Sequence, residues 1–158
     1  MEIFSALVDS TTSEEVLALL SKELIQLGYV KEGYLEAILE REKSYPTGLS
    51  FNDHFQIAVP HANIDLTEKE VMVVVKTRNQ TLQFHKMDDP AKIIGVNILF
   101  LFAIKESKKY IQFLSDFIEI LKNVDFQKKI KEYSPKKTVA LLDEVLPKYE
   151  FLYKGFLI

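Results

Sequence analysis

The run Val71–Val75 constrains the fold of this chain more than any other segment. Its residues are all apolar, and four of the five are valine. A strand with no polar side is typical of a sheet that is covered on both faces. A second apolar run over residues 96–104 predicts another buried strand. Together the two runs indicate an α/β fold built around a central sheet.

Amphipathic helices supply the predicted covering layers. The hydroxyls of residues 11–13 can cap a first helix that ends at Gly28. Its predicted apolar stripe comprises Val16, Leu19, Leu20, Leu24 and Leu27. Four further helices are predicted over about 31–43, 107–123, 125–133 and 135–146. In the long helix the predicted stripe comprises Ile111, Leu114, Phe117, Ile118 and Leu121.

Short strands complete the predicted sheet. They fall at residues 3–8, at 81–85, and in a segment that ends at Pro60. With 158 residues, 47% of them hydrophobic, the chain has enough apolar material for one core. We therefore expect a single domain, residues 1–158, forming a sandwich in which a mixed β-sheet is flanked by helices on both faces.

The composition excludes several kinds of site. The chain has no cysteine, which excludes disulfides, thiolate nucleophiles and cysteine-bound metals. A net charge of −3 gives no electrostatic reason to expect nucleic-acid binding. The longest apolar run, residues 98–104, is too short to cross a bilayer, so we expect no membrane insertion. The first ten residues include two acids and do not read as a signal peptide, so the expected location is cytoplasmic.

The segment Gln56–Val59 delivers a histidine, His61, immediately after Pro60. Proline lacks an N–H and fixes its own φ, so it ends the strand and sets the direction of the next residue. Strand ends carried by a rigid sheet commonly present reactive side chains. Most histidines in folded proteins are nevertheless structural, and this motif alone leaves both interpretations open.

Two motifs make the chain recognisable. They are Arg-Glu-Lys-Ser-Tyr-Pro-Thr-Gly-Leu at 41–49 and Ile-Ala-Val-Pro-His at 57–61. Phe84 and Met87 before a turn, and the apolar run at 98–103, add support. With these features the chain resembles enzyme IIA of the sugar phosphotransferase system (PTS), in the fructose/mannitol superfamily and nearest the galactitol-type branch.

The resemblance implies a function for His61. The residue would accept a phosphoryl group from the histidine phosphocarrier protein and pass it to a cysteine of a cognate enzyme IIB. The implied substrate class is galactitol or a related sugar or polyol, and no cofactor is implied. The family fold is a mixed sheet flanked by helices, in agreement with the pattern-based expectation.

Physical chemistry makes His61 and Arg41 a reasonable pair for this reaction. An imidazole with an ordinary pKa near 6.5 is mostly neutral at pH 7 and is a competent nucleophile. Phosphoryl transfer passes through a loose transition state whose charge lies on the equatorial oxygens. The planar guanidinium of Arg41 can bind two such oxygens. An ordinary charged side chain at a helix end is the competing interpretation of Arg41.

Mannitol-type members carry a second histidine at the start of the long helix, next to the active histidine. The matching segment, residues 106–111, has none, as in the galactitol-type branch. Tyr110 or Gln112 is therefore a candidate to hydrogen-bond the phosphoryl group or the imidazole.

The other histidines are weaker candidates. His54 lies in the loop before the strand, which we expect to approach His61, giving His54 either a supporting role or only a solvated position. His85 is expected to be exposed at a strand end. A metal site from His54, His61, Asp53 and Asp65 matches no recurrent ligand spacing, so no metal is predicted.

Two questions stay open at this level. The same fold phosphorylated at His61 could act as a stand-alone regulatory module that controls a partner protein. The apolar tail, residues 151–158, could either cover the core or join a partner. Exposed apolar side chains near the site are expected to form the docking face, with Phe51, Phe55 and Ile64 as candidates.

Overall fold

A computed structural model describes residues 1–10 and 12–158. The strands are β1 (Glu2–Val8), β2 (Gly48–Asn52), β3 (Phe55–Ala58), β4 (Val71–Thr77), β5 (Leu82–His85), β6 (Ile93–Val96), β7 (Ile98–Ala103) and β8 (Leu152–Phe156). The helices are α1 (Ser13–Gln26), α2 (Tyr34–Ser44), α3 (Ser107–Leu121), α4 (Val124–Glu132) and α5 (Pro135–Val145). Of these helices, none is both long enough and apolar enough to cross a membrane.

The central sheet has six strands in the order β2-β3-β7-β4-β1-β8. Strand β4 pairs parallel with β1 and antiparallel with β7, and β3 pairs parallel with β7. Residues Val71 to Lys76 of β4 are all buried, as the valine run predicts. The sheet is therefore mixed, and β4 lies inside it, between β7 and β1.

Helices cover both faces of this sheet. Side chains of β4 alternate between the faces, since Val73 and Val75 pack with α1 and α2. Met72 and Val74 pack with α3, α4 and α5 on the opposite face. The predicted fold class, an α/β sandwich with a mixed sheet flanked by helices, is confirmed.

The apolar stripes of two helices differ from the prediction. In α3 the buried residues are Phe113, Phe117 and Leu121, while Ile111 is 67% exposed. Turning the helix this way places two phenylalanine rings on the sheet, and aromatic rings bury more apolar area than isoleucine. The predicted Leu19 of α1 is exposed, and so is Leu27, the residue that follows the helix.

The ends of α1 agree with the predicted signals. Thr12 accepts a hydrogen bond from the Glu15 N–H at 3.1 Å and is the N-cap, and Ser13 is the first residue of the helix. Thr11, the third predicted hydroxyl, lies outside the described residues. Gly28 follows the helix with φ of +81°, a conformation that side chains other than glycine rarely adopt.

Two strand predictions needed correction, and the apolar tail forms a strand that was not predicted. The segment ending at Pro60 is a hairpin of β2 and β3, where one strand was expected. The run 96–104 is divided at Asn97, because Val96 belongs to β6, which pairs with β5 in a separate two-stranded sheet. The apolar tail forms β8, which pairs parallel with β1, and Leu157 joins the core. The tail therefore belongs to the fold, while Leu152 and Phe156 of this edge strand remain exposed.

Candidate active site

His61 lies just beyond the carboxyl end of β3, beside the end of β7. Its backbone forms a parallel bridge with Phe102, whose N–H donates to the Pro60 carbonyl at 3.0 Å. Pro60 cannot donate a hydrogen bond, but its carbonyl still ties this turn to the sheet. His61 is thereby fixed in a half-buried position.

The imidazole of His61 is oriented by its own backbone. Its Nδ1 lies 3.0 Å from the Val59 carbonyl oxygen, which can only accept a hydrogen bond. The neutral ring therefore carries its proton on Nδ1 and leaves the lone pair on Nε2. Burial lowers the pKa of His61, the Val59 hydrogen bond opposes that shift, and the Arg41 charge lowers the pKa further. These effects favour a neutral nucleophile with Nε2 free to react.

Helix α2 carries Arg41 toward the same place. Tyr34 and Ile38 are fully buried, and Arg41 follows on the same side of the helix. The Tyr34 hydroxyl donates to the Phe102 carbonyl at 2.8 Å, which ties α2 to the strand end beside His61. The guanidinium lies 5.9 Å from the Tyr45 ring centre, and its buried Nε has no hydrogen-bond partner. Arg41 therefore has a donor available, and its charge acts on His61.

Glu42, the residue after Arg41, joins α2 to β3. Its carboxylate accepts hydrogen bonds from the Thr47 hydroxyl and from the Thr47 N–H, the latter at 3.2 Å. The Thr47 carbonyl in turn accepts from the Val59 N–H at 3.2 Å. Burial raises the pKa of Glu42, and the bonds from Thr47 oppose that shift. The chain Glu42–Thr47–Val59 thus reaches the residue whose carbonyl orients His61.

Gly48 allows a close approach that holds this turn in place. A side-chain carbon at position 48 would lie 2.6 Å from the backbone oxygen of His85. The Gly48 carbonyl also accepts from the Met87 N–H at 2.9 Å. Glu42 and Gly48 were not predicted as site residues. Both lie in the motif at 41–49 that carries the family resemblance, so this motif was the signal that could have identified them.

Of the two candidates on the long helix, the structure brings Tyr110 to His61. The two rings have their centres 5.4 Å apart at an angle of 50°. Gln112 lies on the exposed side of α3 and donates to Asp116 at 3.1 Å. Two residues along a helix correspond to more than half a turn, so the two side chains point in different directions.

His54 lies at the other end of β3. It occupies the hairpin turn, is exposed, and its N–H donates to the Asn52 side chain at 2.8 Å. Six residues of mostly extended chain lie between it and His61, and the span corresponds to roughly 20 Å. The expectation that this loop approaches His61 is wrong, because the strand runs away from the hairpin and toward the site.

His85 is exposed, as predicted, with its Nδ1 2.8 Å from the Pro90 carbonyl oxygen. Within residues 1–10 and 12–158, no group of three His, Cys, Asp or Glu side chains is arranged to hold a metal ion. Phe55 is 2% exposed and belongs to the core, so its predicted place in a docking face is wrong. Ile64 is 47% exposed and lies three residues after His61.

Comparisons with known proteins show which family this chain resembles. The family model described as "Phosphoenolpyruvate-dependent sugar phosphotransferase system, EIIA 2" matches residues 2–144. The mannitol-specific EIICBA component of Buchnera aphidicola (subspecies Baizongia pistaciae) is 32% identical over 87% of this chain. The chain spans 19% of the length of that relative. The galactitol-specific EIIA component of Escherichia coli K12 is 23% identical over 63% of this chain and 65% of its own length.

Solved structures share the fold. The E. coli complex of mannitol enzyme IIA with phosphorylated enzyme IIB contains a chain that matches with a TM-score of 0.65, 23% identity, and coverage of 92% of this chain and 94% of that one. The nitrogen regulatory protein IIA-Ntr of Neisseria meningitidis matches with a TM-score of 0.64 and 14% identity, covering 88% of this chain and 91% of that one.

The family model spans nearly the whole chain, from β1 to the last turn of α5, and includes both motifs that carry the resemblance. Domains of this family are phosphotransferases that relay phosphate through a histidine. The chain belongs to the EIIA type 2 family of the phosphoenolpyruvate-dependent sugar phosphotransferase system.

Proposed function

We propose that this protein is a phosphocarrier that accepts a phosphoryl group on Nε2 of His61. The observation that carries the proposal is the 3.0 Å contact between Nδ1 and the Val59 carbonyl oxygen, which leaves Nε2 as the nucleophilic nitrogen. Arg41 stands beside it with an unpartnered Nε–H, and the same cation lowers the pKa of His61.

The proposed donor is the phosphohistidine of the small phosphocarrier protein. The Nε2 lone pair forms the new P–N bond while the donor's P–N bond breaks, and that electron pair returns to the donor imidazole. The proton on Nδ1 of His61 stays in place, hydrogen-bonded to Val59. Arg41 binds the equatorial oxygens, where charge accumulates in the loose transition state.

The proposed acceptor is the cysteine thiolate of a cognate enzyme IIB. Attack by sulfur on phosphorus returns the electron pair to Nε2 and regenerates the neutral imidazole. Donor and acceptor must both approach His61 in line, so we propose that they use the same face in turn, with the exposed Ile64 inside it. A relay requires fast dissociation, which favours a small interface.

We propose a hexitol as the transported substrate class, with galactitol and mannitol as the two candidates. One relative is named as mannitol-specific and another as galactitol-specific, and both substrates are hexitols. The mannitol relative has the higher identity of the two and covers more of this chain, which favours mannitol over galactitol.

A reconstituted relay tests this function. The protein is incubated with phosphoenolpyruvate, enzyme I and the phosphocarrier protein, and then with purified IIB of either the galactitol or the mannitol type. We expect acid-labile phosphate on this protein first and on the IIB cysteine afterwards. No phosphate on this protein would contradict the proposal.

The same experiment separates transport from regulation. Fast transfer to one IIB type supports a role in sugar uptake and identifies the hexitol branch. Stable phosphorylation at His61 with no transfer to either IIB would instead favour the regulatory module that controls a partner protein.

A further inference from the structure

Two buried polar atoms without partners belong to residues around His61. They are Nε of Arg41 and the hydroxyl oxygen of Tyr110, and neither has a hydrogen-bond partner. A buried polar group normally finds a partner, because leaving it unpaired costs free energy. Two such donors belonging to neighbours of one nucleophile suggest that their partner arrives with the reaction.

The Tyr110 ring is held firmly in its place. Its centre lies 5.4 Å from that of His61 and 5.6 Å from that of Phe102, which it meets edge to face. Phe102 also forms the backbone bridge with His61. Tyr110 belongs to the first turn of α3. Its phenol ring therefore packs against the same end of β7 that holds His61.

The hydroxyl of Tyr110 is a neutral donor under all physiological conditions. Burial raises its pKa to about 12, although the Arg41 charge opposes that shift. A protonated phenol can donate one hydrogen bond to an anion without adding charge to the site. Arg41 already supplies the positive charge that a phosphoryl group requires.

We propose that the Tyr110 hydroxyl donates a hydrogen bond to a phosphoryl oxygen on His61, with the Arg41 Nε–H as the second donor. This inference rests on the proposed phosphorylation of His61. Both donors are unpaired in the unphosphorylated protein and become paired when the phosphoryl group arrives. Tyr110 is thus a catalytic residue that contacts the transferred group.

The variant Tyr110→Phe tests the proposal because it removes the hydroxyl and keeps the ring. We expect phosphoryl transfer from the phosphocarrier protein to slow about ten-fold, the effect of losing one hydrogen bond to a charged group. We expect the melting temperature of the unphosphorylated protein to stay the same or rise, because the removed hydroxyl has no partner there. A residue with only a structural role would show the reverse.

Tyr153→Phe is the matched control. Its hydroxyl is paired with the Ser5 hydroxyl at 2.6 Å, on β8 at the far edge of the sheet from β3. We expect this variant to lower the melting temperature and to leave the transfer rate within about two-fold, since removing a partnered hydroxyl affects stability. If Tyr110→Phe lowers the melting temperature as Tyr153→Phe does, or transfers at the wild-type rate, the proposal is overturned.

A measurement on the wild-type protein avoids any effect of mutation on folding. With tyrosine labelled by ¹³C at Cζ, phosphorylation should shift the Tyr110 resonance and leave that of Tyr153 unchanged. An unchanged Tyr110 resonance in protein phosphorylated at His61 would overturn this inference alone. Absence of phosphate from His61 would instead contradict the proposed function.

Discussion

The two ends of β3 each carry a histidine, and the surroundings of the two side chains differ. At the hairpin end, His54 is exposed in a turn, and its backbone N–H donates to the Asn52 side chain. At the carboxyl end, His61 is half-buried, oriented by Val59 and faced by Arg41. The difference teaches that a strand end becomes a reactive site through the groups that converge on it, here from β7, α2 and α3.

The largest expected difference between these ends is in phosphorylation itself. His61→Ala should abolish the acid-labile label, because Nε2 is the proposed nucleophile. His54→Ala should keep the wild-type rate within about two-fold, since exposed residues outside a site have small effects. The measurement is label incorporated per protein with the purified relay. Label retained by His61→Ala would contradict the proposal that His61, at the carboxyl end of β3, is the phosphorylated residue.

The next largest effect is expected at Arg41. Arg41→Lys keeps the charge but loses the planar fork and the Nε donor. We expect transfer to slow by about 5- to 150-fold, which corresponds to about 1–3 kcal/mol for a hydrogen bond to a charged group.

Arg78, the other arginine of the chain, is exposed and supplies the matched control Arg78→Lys. Quenching the reaction at successive times measures the rate of phosphoryl transfer from the phosphocarrier protein to each variant. Equal rates for Arg41→Lys and the wild type would show that Arg41 is only a charged residue at a helix end.

A third prediction concerns the connection that ties α2 to the reactive end of β3. Glu42→Ala leaves the N–H and hydroxyl of Thr47 without their acceptor. We expect a loss of about 1–3 kcal/mol in the free energy of unfolding, together with slower transfer, since Thr47 holds the backbone of Val59.

Glu40→Ala is the control for Glu42, because Glu40 is exposed and accepts only a long bond from Ser44, at 3.5 Å. It should change the unfolding free energy by no more than about 0.5 kcal/mol. Urea unfolding measures both variants. Equal stability of the two variants would show that the hydrogen bonds between Glu42 and Thr47 contribute nothing to the free energy of unfolding.

The smallest expected effect is in the pH dependence. Because the pKa of His61 is lowered from its ordinary value of 6.5, the neutral ring should persist, and phosphoryl acceptance should continue, to a pH below 6.5. Arg41→Gln removes a cation that lowers this pKa, so the midpoint should move upward. Imidazole ¹⁵N shifts followed through a pH titration measure the midpoint. A wild-type midpoint above 6.5 would contradict the account.

The sequence identifies His61 and Arg41 as candidate site residues because their signals are local. Proline before the histidine ends the strand through its own covalent geometry, and Arg41 lies in a motif read directly from the chain. The buried strand β4 was predicted for the same reason, since an uninterrupted apolar run indicates burial on both faces without knowledge of distant residues.

The rest depended on distant contacts. The competition between Tyr110 and Gln112 was decided by the rotation of α3, which in turn follows from the packing of Phe113 and Phe117 on the sheet. The tail became β8 only by pairing with β1, at the opposite end of the chain. Whether the Tyr110 hydroxyl has a hydrogen-bond partner depends on the tertiary structure around it, so the sequence alone could not predict that it is unpartnered.

The central claim, that the carboxyl end of β3 presents Nε2 of His61 for phosphorylation, has a direct test. The protein is labelled with ¹⁵N-histidine, phosphorylated by the relay and observed by NMR for coupling between ³¹P and ring nitrogens. The account predicts coupling to Nε2 of His61, with Nδ1 still protonated and bonded to the Val59 carbonyl. Coupling to Nδ1 of His61, or to either nitrogen of His54 or His85, would contradict it.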